Sequence, residues 1–404
     1  MDELISRLLA HDRVRAARRH LERGDQRTLA TQVELSAIPA PTGAEGARAA
    51  RIGELFREAE LHDVAVDEVG NVRAWLPGGS HRSDGSEPVV LSAHLDTVFG
   101  PEVDVRVNRR GRRLLGPGIG DNARGLAALV GVARALVEAR VAVGRPVLFA
   151  ATVGEEGAGD LRGMRYLLNG RLAGARPHAV IALDGAGMER IVHRALGSRR
   201  YRASFRGPGG HSWAAFGVAN PANAVGRAAA LLADLPAAAA PRTTCAVVGL
   251  GGGTGLNSIP QEAWLDLDLR SEDQEALARL DETVRLGLSR ALDDENRRRT
   301  PGTPPLGLDL RSVGDRPSGV TPRTHPLVQA ALAATRALGK DGELACASTD
   351  ANVPIALGIP AVALGAGGRS GDAHLPTEWY ENVEGPLGLI RAMLVVLAMT
   401  GVRD

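Results

Sequence analysis

Two adjacent glutamates, Glu155 and Glu156, follow the apolar run Val147-Leu148-Phe149-Ala150-Ala151-Thr152-Val153 and stand between Gly154 and Gly157. Such a run reads as a strand covered on both faces of a parallel sheet, where alternation is lost. Two carboxylates crowded at its end repel each other unless a cation compensates them, so a metal site is the chemistry they suggest. Metal-type ligands recur beyond other strand-like runs. His94 and Asp96 follow Val89-Val90-Leu91-Ser92; positions two apart in an extended segment face the same side, so Asp96 could orient the ring of His94. Asp121 follows the glycine-rich Gly116-Pro117-Gly118-Ile119-Gly120 and precedes a helical pattern, where it could equally serve as N-cap. Asp184 ends Ile181-Ala182-Leu183, and His374 lies in Gly371-Asp372-Ala373-His374-Leu375, expected as a short loop beyond the last strand. Singly, each has an ordinary explanation as a surface turn or a cap. Together they put His, Asp or Glu at the carboxyl ends of several strands, the edge where an open α/β sheet binds ligands. Imidazole and carboxylate without thiolate suit zinc, with cobalt or manganese as alternatives.

Positioning these groups requires a sheet of known direction. Residues 3 to 60 read as helices broken by Ile38-Pro39-Ala40-Pro41-Thr42-Gly43, which no helix can cross. Short strands near Val64 to Val66 and Val72 to Trp75 precede an alternation: strand Val89 to Ser92, helix Arg124 to Val141, strand Val147 to Val153, helix Leu161 to Asn169 and strand Ala179 to Leu183. That order implies an α/β sheet covered by helices on both faces. From about Gly197 the texture changes. Tyr201 to Phe205 alternates, and Trp264-Leu265-Asp266-Leu267-Asp268-Leu269 has clean period-two alternation within a strand Ala263 to Leu269. With a strand Cys245 to Leu250, helices Pro221 to Leu232 and Glu272 to Arg298, and a strand Leu306 to Val313, this stretch reads as a small α+β domain with one open sheet face. The α/β texture then returns with helix Pro326 to Leu338, strand Ala361 to Leu364 and helix Glu384 to Met399. The expected organisation is a discontinuous catalytic domain, residues 1–196 and 315–404, interrupted by a domain of residues 197–314.

The totals narrow the function classes. A chain of 404 residues exceeds one ordinary core. Its net charge of +1 and 3% aromatic content argue against a nucleic-acid platform. The arginine runs at Arg109-Arg110, Arg112-Arg113 and Arg297-Arg298-Arg299 read as solvated surface. Cys245 and Cys346 are isolated and fit neither a disulfide framework nor a CxxC site. With no apolar signal core at the N-terminus and no apolar run long enough to span a bilayer, a cytoplasmic location without membrane attachment is the expectation.

The segments Ser92-Ala93-His94-Leu95-Asp96-Thr97, Gly120-Asp121-Asn122, Gly154-Glu155-Glu156-Gly157, Leu183-Asp184, Gly210-His211-Ser212 and the late His374 occur in this order along nearly the whole chain. As a set they resemble the two-zinc exopeptidase and amidohydrolase family of glutamate carboxypeptidase, peptidase T (tripeptide aminopeptidase), acetylornithine deacetylase, succinyl-diaminopimelate desuccinylase and the aminoacylases. The resemblance implies a zinc-exopeptidase-like catalytic domain with a mixed sheet, an inserted α+β dimerisation domain, a homodimer, and two zinc ions per chain. It places His94 and Asp184 on one metal, Glu156 and His374 on the other, and Asp121 between them. It makes Asp96 the residue that orients His94, and Glu155 the general base. His211 would reach across the dimer to stabilise a tetrahedral oxyanion, while Asn257, Arg270 and Arg316 fall where the family anchors substrate. The implied reaction is hydrolysis of a terminal amide of a short peptide by a hydroxide bridging the metals; an N-acyl-amino-acid deacylase or desuccinylase is the alternative substrate class. A catalytically inactive peptide-binding relative is the rival of another class, but it should lack a ligand or the base, and all are present here. Gly365-Ala366-Gly367-Gly368 and the residues Arg369 to Asp372 depart from the commoner family pattern, which bears on substrate preference.

Overall fold

The computed structural model describes residues 1–76, 87–169 and 176–403, which form two compact units. Unit one comprises Met1–Ala195 and Val320–Asp404; unit two is Leu196–Gly319.

Unit one is built on a mixed sheet whose centre runs Val147–Thr152, Val89–His94, Ala179–Leu183, Ala361–Leu364, with every one of these neighbours parallel. Val72–Trp75 joins antiparallel at one side and His62–Val66 beyond it; Arg190–Ala195 joins antiparallel at the other, where Glu343–Ala347 pairs with it in parallel. The central strands are buried along their whole length, as the unbroken apolar runs require. Alternate residues nevertheless serve different cores. Val89, Leu91, Phe149, Ile181 and Leu364 join a large cluster with the helices Ala123–Glu138, Pro326–Ala337 and Gly385–Thr400. Val90, Leu148, Val180 and Ala363 join a smaller one with Leu161, Met164, Leu167, Val353 and Ile355 on the opposite face.

The N-terminal region forms four helices, Asp2–Ala10, Asp12–Arg23, Asp25–Ser36 and Gly46–Glu58, the last two separated by the proline loop. A second, smaller sheet orders Arg369–Gly371, Trp379–Glu381, Arg113–Leu115 and Asn108–Arg110, all antiparallel. His374 therefore sits between two short strands and not in a loop past the last one. Of the arginines read as solvated surface, Arg109, Arg110 and Arg113 belong to this sheet: Asn108–Arg110 is exposed, and the Arg113 guanidinium lies 3.8 Å from the Trp379 ring centroid.

Unit two is a five-stranded antiparallel sheet in the order Ala238–Ala239, Arg242–Gly252, Glu262–Ser271, Gly197–Arg206, Gly307–Arg316. Leu265, Leu267 and Leu269 face a core with Leu277, Val284 and Leu288 of the Gln274–Arg298 helix. Their alternates face the other way, where Arg202 bonds both oxygens of Asp266 at 2.8 and 2.7 Å. Arg242–Gly252 has an outer partner only at Arg242 and Thr243 among the described residues. Val248 and Leu250 of this strand are exposed. Among the described residues no helix is long and apolar enough to cross a membrane.

Candidate metal centre

The parallel strands deliver their chemistry at one edge. His94 is the last residue of its strand, Glu155 and Glu156 follow Val147–Thr152 after one turn, and Asp184 follows Leu183. The His94 ring is buried, with Nδ1 3.1 Å from the Asp96 carbonyl oxygen and 3.7 Å from the Asp96 carboxylate. That leaves Nε2 to meet Asp121 Oδ1 at 3.0 Å. The Asp96 carboxylate also accepts the backbone N–H groups of both Glu155 and Glu156 at 2.9 Å and the Thr42 hydroxyl at 2.8 Å. Burial alone would raise its pKa, but His94 and these amides hold it down at about 2. Asp96 is thus the residue that fixes the two glutamates relative to His94.

Asp121 is not the helix cap. Asn122 takes that position before Ala123–Glu138, its Oδ1 accepting from Gly125 N–H at 3.1 Å. The same oxygen accepts from Gly185 N–H at 3.1 Å, and Nδ2 donates to the Leu183 carbonyl at 2.8 Å. Asp184 lies between those two residues, so one buried amide ties its backbone to that of Asp121; the connecting Asp121–Asn122 peptide is cis. Sequence reasoning missed Asn122, although a cap residue directly after the acid was there to be seen.

With its backbone so held, Asp121 faces two histidines. Oδ1 meets His94, and Oδ2 lies 3.2 Å from His374 Nε2, which is also 3.0 Å from Glu156 Oε1. His374 adopts φ +68°, the left-handed region, and its ring is half exposed. Three sets of donor atoms each fall within 4.8 Å of one another: His94, Asp121 and Asp184; Asp121, Glu156 and His374; and His94, Glu155 and Glu156. The first two share Asp121. Glu156 belongs with His374, whereas Glu155 is grouped only with His94 and its neighbour.

The electrostatics fit a divalent cation. Burial, reinforced by the charge of Asp121, raises Asp184 to about 7. Bonds to Asp121 and Glu156 raise His374 to about 10. Burial would lower His94, yet Asp121 and Asp96 hold it well above the ordinary imidazole value. Protons on these groups balance the surrounding carboxylates, and hard or borderline cations balance them in the same way while taking the protons' place. Nitrogen and oxygen donors, with no thiolate, match zinc and its neighbours.

The remaining sequence-chosen residues all belong to unit two. Gly210–His211 pairs with Ser258–Ile259, and Ser212 N–H donates to the Asn257 carbonyl at 2.8 Å, so His211 and Asn257 lie near each other on two paired segments, both exposed. Arg270 and Arg316 flank Ser198 across adjacent strands and hence lie on one face. Arg270 is engaged by Asp268 at 2.9 Å, and Arg316 is buried.

The profile of peptidase family M20/M25/M40 matches residues 90–398, most of the chain. No curated protein matches the sequence. Among solved structures, the fold resembles the aminopeptidase PepT of Bacillus cereus, with 21% identity, TM-score 0.71, and 93% of this chain and 98% of that one covered. A tripeptidase of Staphylococcus aureus gives 21% identity and TM-score 0.74 over 93% and 98% of the two chains. The Bacillus subtilis YXEP protein, described as a dinuclear metal-binding peptidase, gives 17% and 0.66 over 93% and 97%.

Proposed function

Because the chain belongs to peptidase family M20/M25/M40, and is therefore a hydrolase of peptide or amide bonds, we propose that it is a dinuclear zinc exopeptidase acting on short peptides. In this reading His94, Asp184 and Asp121 hold one ion, and Asp121, Glu156 and His374 the other. The observation that carries it is the Asp121 carboxylate, which turns one oxygen to His94 and the other to His374. When bound, the ions supply Lewis acidity, polarising a carbonyl oxygen and making water a nucleophile near neutral pH.

The protein's own groups do the rest. Glu155, fixed through its N–H by Asp96 and grouped with neither His374 nor Asp184, takes the proton of the attacking water and passes it to the departing amine. Asp96 keeps the base and its neighbour in register. His211 Nδ1 accepts the N–H groups of Trp213 and Ala214 at 3.2 and 3.4 Å. The neutral ring accordingly carries its proton on Nε2 and can donate to an oxyanion, a contribution worth roughly 2.7 to 4 kcal/mol in comparable sites. Arg316 and Asn257 anchor the substrate terminus; Arg270, already paired with Asp268, contributes less charge than an unpaired arginine would.

The active form in this proposal is a cytoplasmic homodimer joined through unit two. Beyond Thr243, the outer side of Arg242–Gly252 has no partner among the described residues, and with Val248 and Leu250 exposed it supports such pairing, since long unprotected edges readily accept another strand. An N-acyl-amino-acid deacylase keeps the same machinery with a different acyl group. Turnover of di- and tripeptides against N-acetyl and N-succinyl amino acids by the zinc-loaded protein decides between them. Hydrolysis of the acyl amino acids alone would reject the peptidase reading.

A further inference from the structure

Three segments meet at Glu378. Between Gly371 and Trp379 the chain leaves one short strand, turns through His374 and returns, with Leu375 N–H bonded to the Asp372 carbonyl and Glu378 N–H to that of Leu375, both at 3.0 Å. The Glu378 side chain, 1% exposed, then crosses to the loop that carries Asp121. Its Oε2 accepts Gly118 N–H, and its Oε1 accepts the N–H groups of Gly120 and Asp121, all at 2.8 Å. Its carbonyl accepts Gly116 N–H at 2.9 Å, prolonging the ladder of Trp379–Glu381 with Arg113–Leu115. One residue thus makes four hydrogen bonds to the segment 116–121 while lying four positions after His374.

Three convergent N–H donors need an acceptor with two oxygens and no proton donor of its own. Carboxylate meets that need, whereas a glutamine would turn an NH₂ group towards at least one N–H. Aspartate is one methylene short of the same reach. The fit is also close: a Cβ on Gly120 would approach Ser370 Cβ at 3.0 Å and Glu378 Oε1 at 3.1 Å, tighter than ordinary contact.

We propose that Glu378 is a positioning residue that fixes the Asp121 loop against the His374 turn and so sets the geometry of the ion held by Asp121, Glu156 and His374. Glu378 has no place among the grouped donor atoms and acts only through the two loops. The proposal rests on the dinuclear reading above. It predicts a selective effect, because the other ion shares Asp121 but draws His94 and Asp184 from the central strands.

Metal-free wild type, Glu378→Gln, Glu378→Ala and Gly120→Ala are titrated with Zn²⁺ against a chromophoric chelator, and with Co²⁺ while the visible spectrum is recorded; circular dichroism and thermal melting establish folding. Wild type should take two ions. The folded variants should keep one near wild-type affinity and bind the other about 10- to 100-fold more weakly, the scale seen when groups behind metal ligands are removed. The Co²⁺ bands of the weakened site should change. Gly120→Ala keeps the carboxylate but displaces it, so it should reproduce the same selective loss, and with Glu378→Gln it decides the matter if Glu378→Ala does not fold. Wild-type affinities and spectra in folded Glu378→Gln and Gly120→Ala would overturn the proposal, as would equal weakening of both ions. A wild type that takes fewer than two ions would instead overturn the dinuclear reading.

Discussion

Asp96 and Asp121 spend their carboxylates differently, one on backbone amides and the other on imidazoles. On the proposed mechanism that contrast gives the adjacent glutamates unequal roles. Glu155→Gln should retain both zinc ions by elemental analysis while kcat falls by about 10²- to 10⁴-fold, the usual contribution of a positioned base. Glu156→Gln should lose zinc. The reverse pattern would exchange the two roles. Acidity offers a second check. Asp184 has a folded pKa of about 7 against an ordinary 3.8, so its contribution to the metal-free protein's stability is complete below pH ~4 and is lost as pH rises through 7. His374, raised to about 10, acts in the same sense, its contribution full below the ordinary 6.5 and lost towards the higher value. Zinc bound as proposed would replace those protons; the rise in Tm on adding zinc should therefore be larger at pH 8 than at pH 5.5. An equal rise at both would contradict the proton competition. Among the candidate site residues, His94, Asp121, Glu156 and Asp184 were legible because each ends or follows an apolar run or sits beside glycine; His374 has neither signal and stood out only as a histidine in a short late segment. The carbonyl that holds the His94 ring was not legible, since main-chain acceptors leave no trace in residue identity.

Among the elements, the central strands were readable for the reason that they are buried on both faces. Ala179–Leu183 and Ala361–Leu364 have the bounds expected, and most other boundaries move by one to three residues. The small sheet was not readable. Asn108–Arg110 and Arg113–Leu115 are three residues each, rich in arginine, and gain a partner only from Trp379–Glu381, far along the chain. Arg190–Ala195 and Glu343–Ala347 escaped for a similar reason, lacking a turn between them. The Ala123–Glu138 helix illustrates how a cap can also be a brace. Asn122→Ala removes the cap, leaves the Gly185 N–H without its acceptor and takes one donor from the Leu183 carbonyl, so it should lower stability by about 2–4 kcal/mol in urea unfolding. Zinc affinity should fall with it, whereas a cap alone would leave the metal unaffected.

For the whole molecule, the two units carry different parts of the proposed chemistry, the ion-binding residues in one and His211 in the other. If His211 serves a neighbouring subunit, mixing His211→Ala with Glu155→Gln under exchange should recover about one quarter of wild-type activity, since random pairing makes half the dimers mixed with one intact site each. No recovery would place His211 and Glu155 in the same chain's site. Sedimentation of the wild type should show a dimer that Val248→Lys with Leu250→Lys dissociates.

The bond from His374 to Asp121 joins residues 253 positions apart, and the side-chain bonds of Glu378 span up to 260. During synthesis the first proposed ligands, His94 and Asp121, emerge early, while the pieces that close the constellation leave the ribosome long afterwards. Contacts of such separation form late and slowly, after shorter loops have closed. A nascent chain can thus acquire most of its central sheet without the means to cut peptides, and hydrolytic competence arrives only when that late segment has folded back onto the early one.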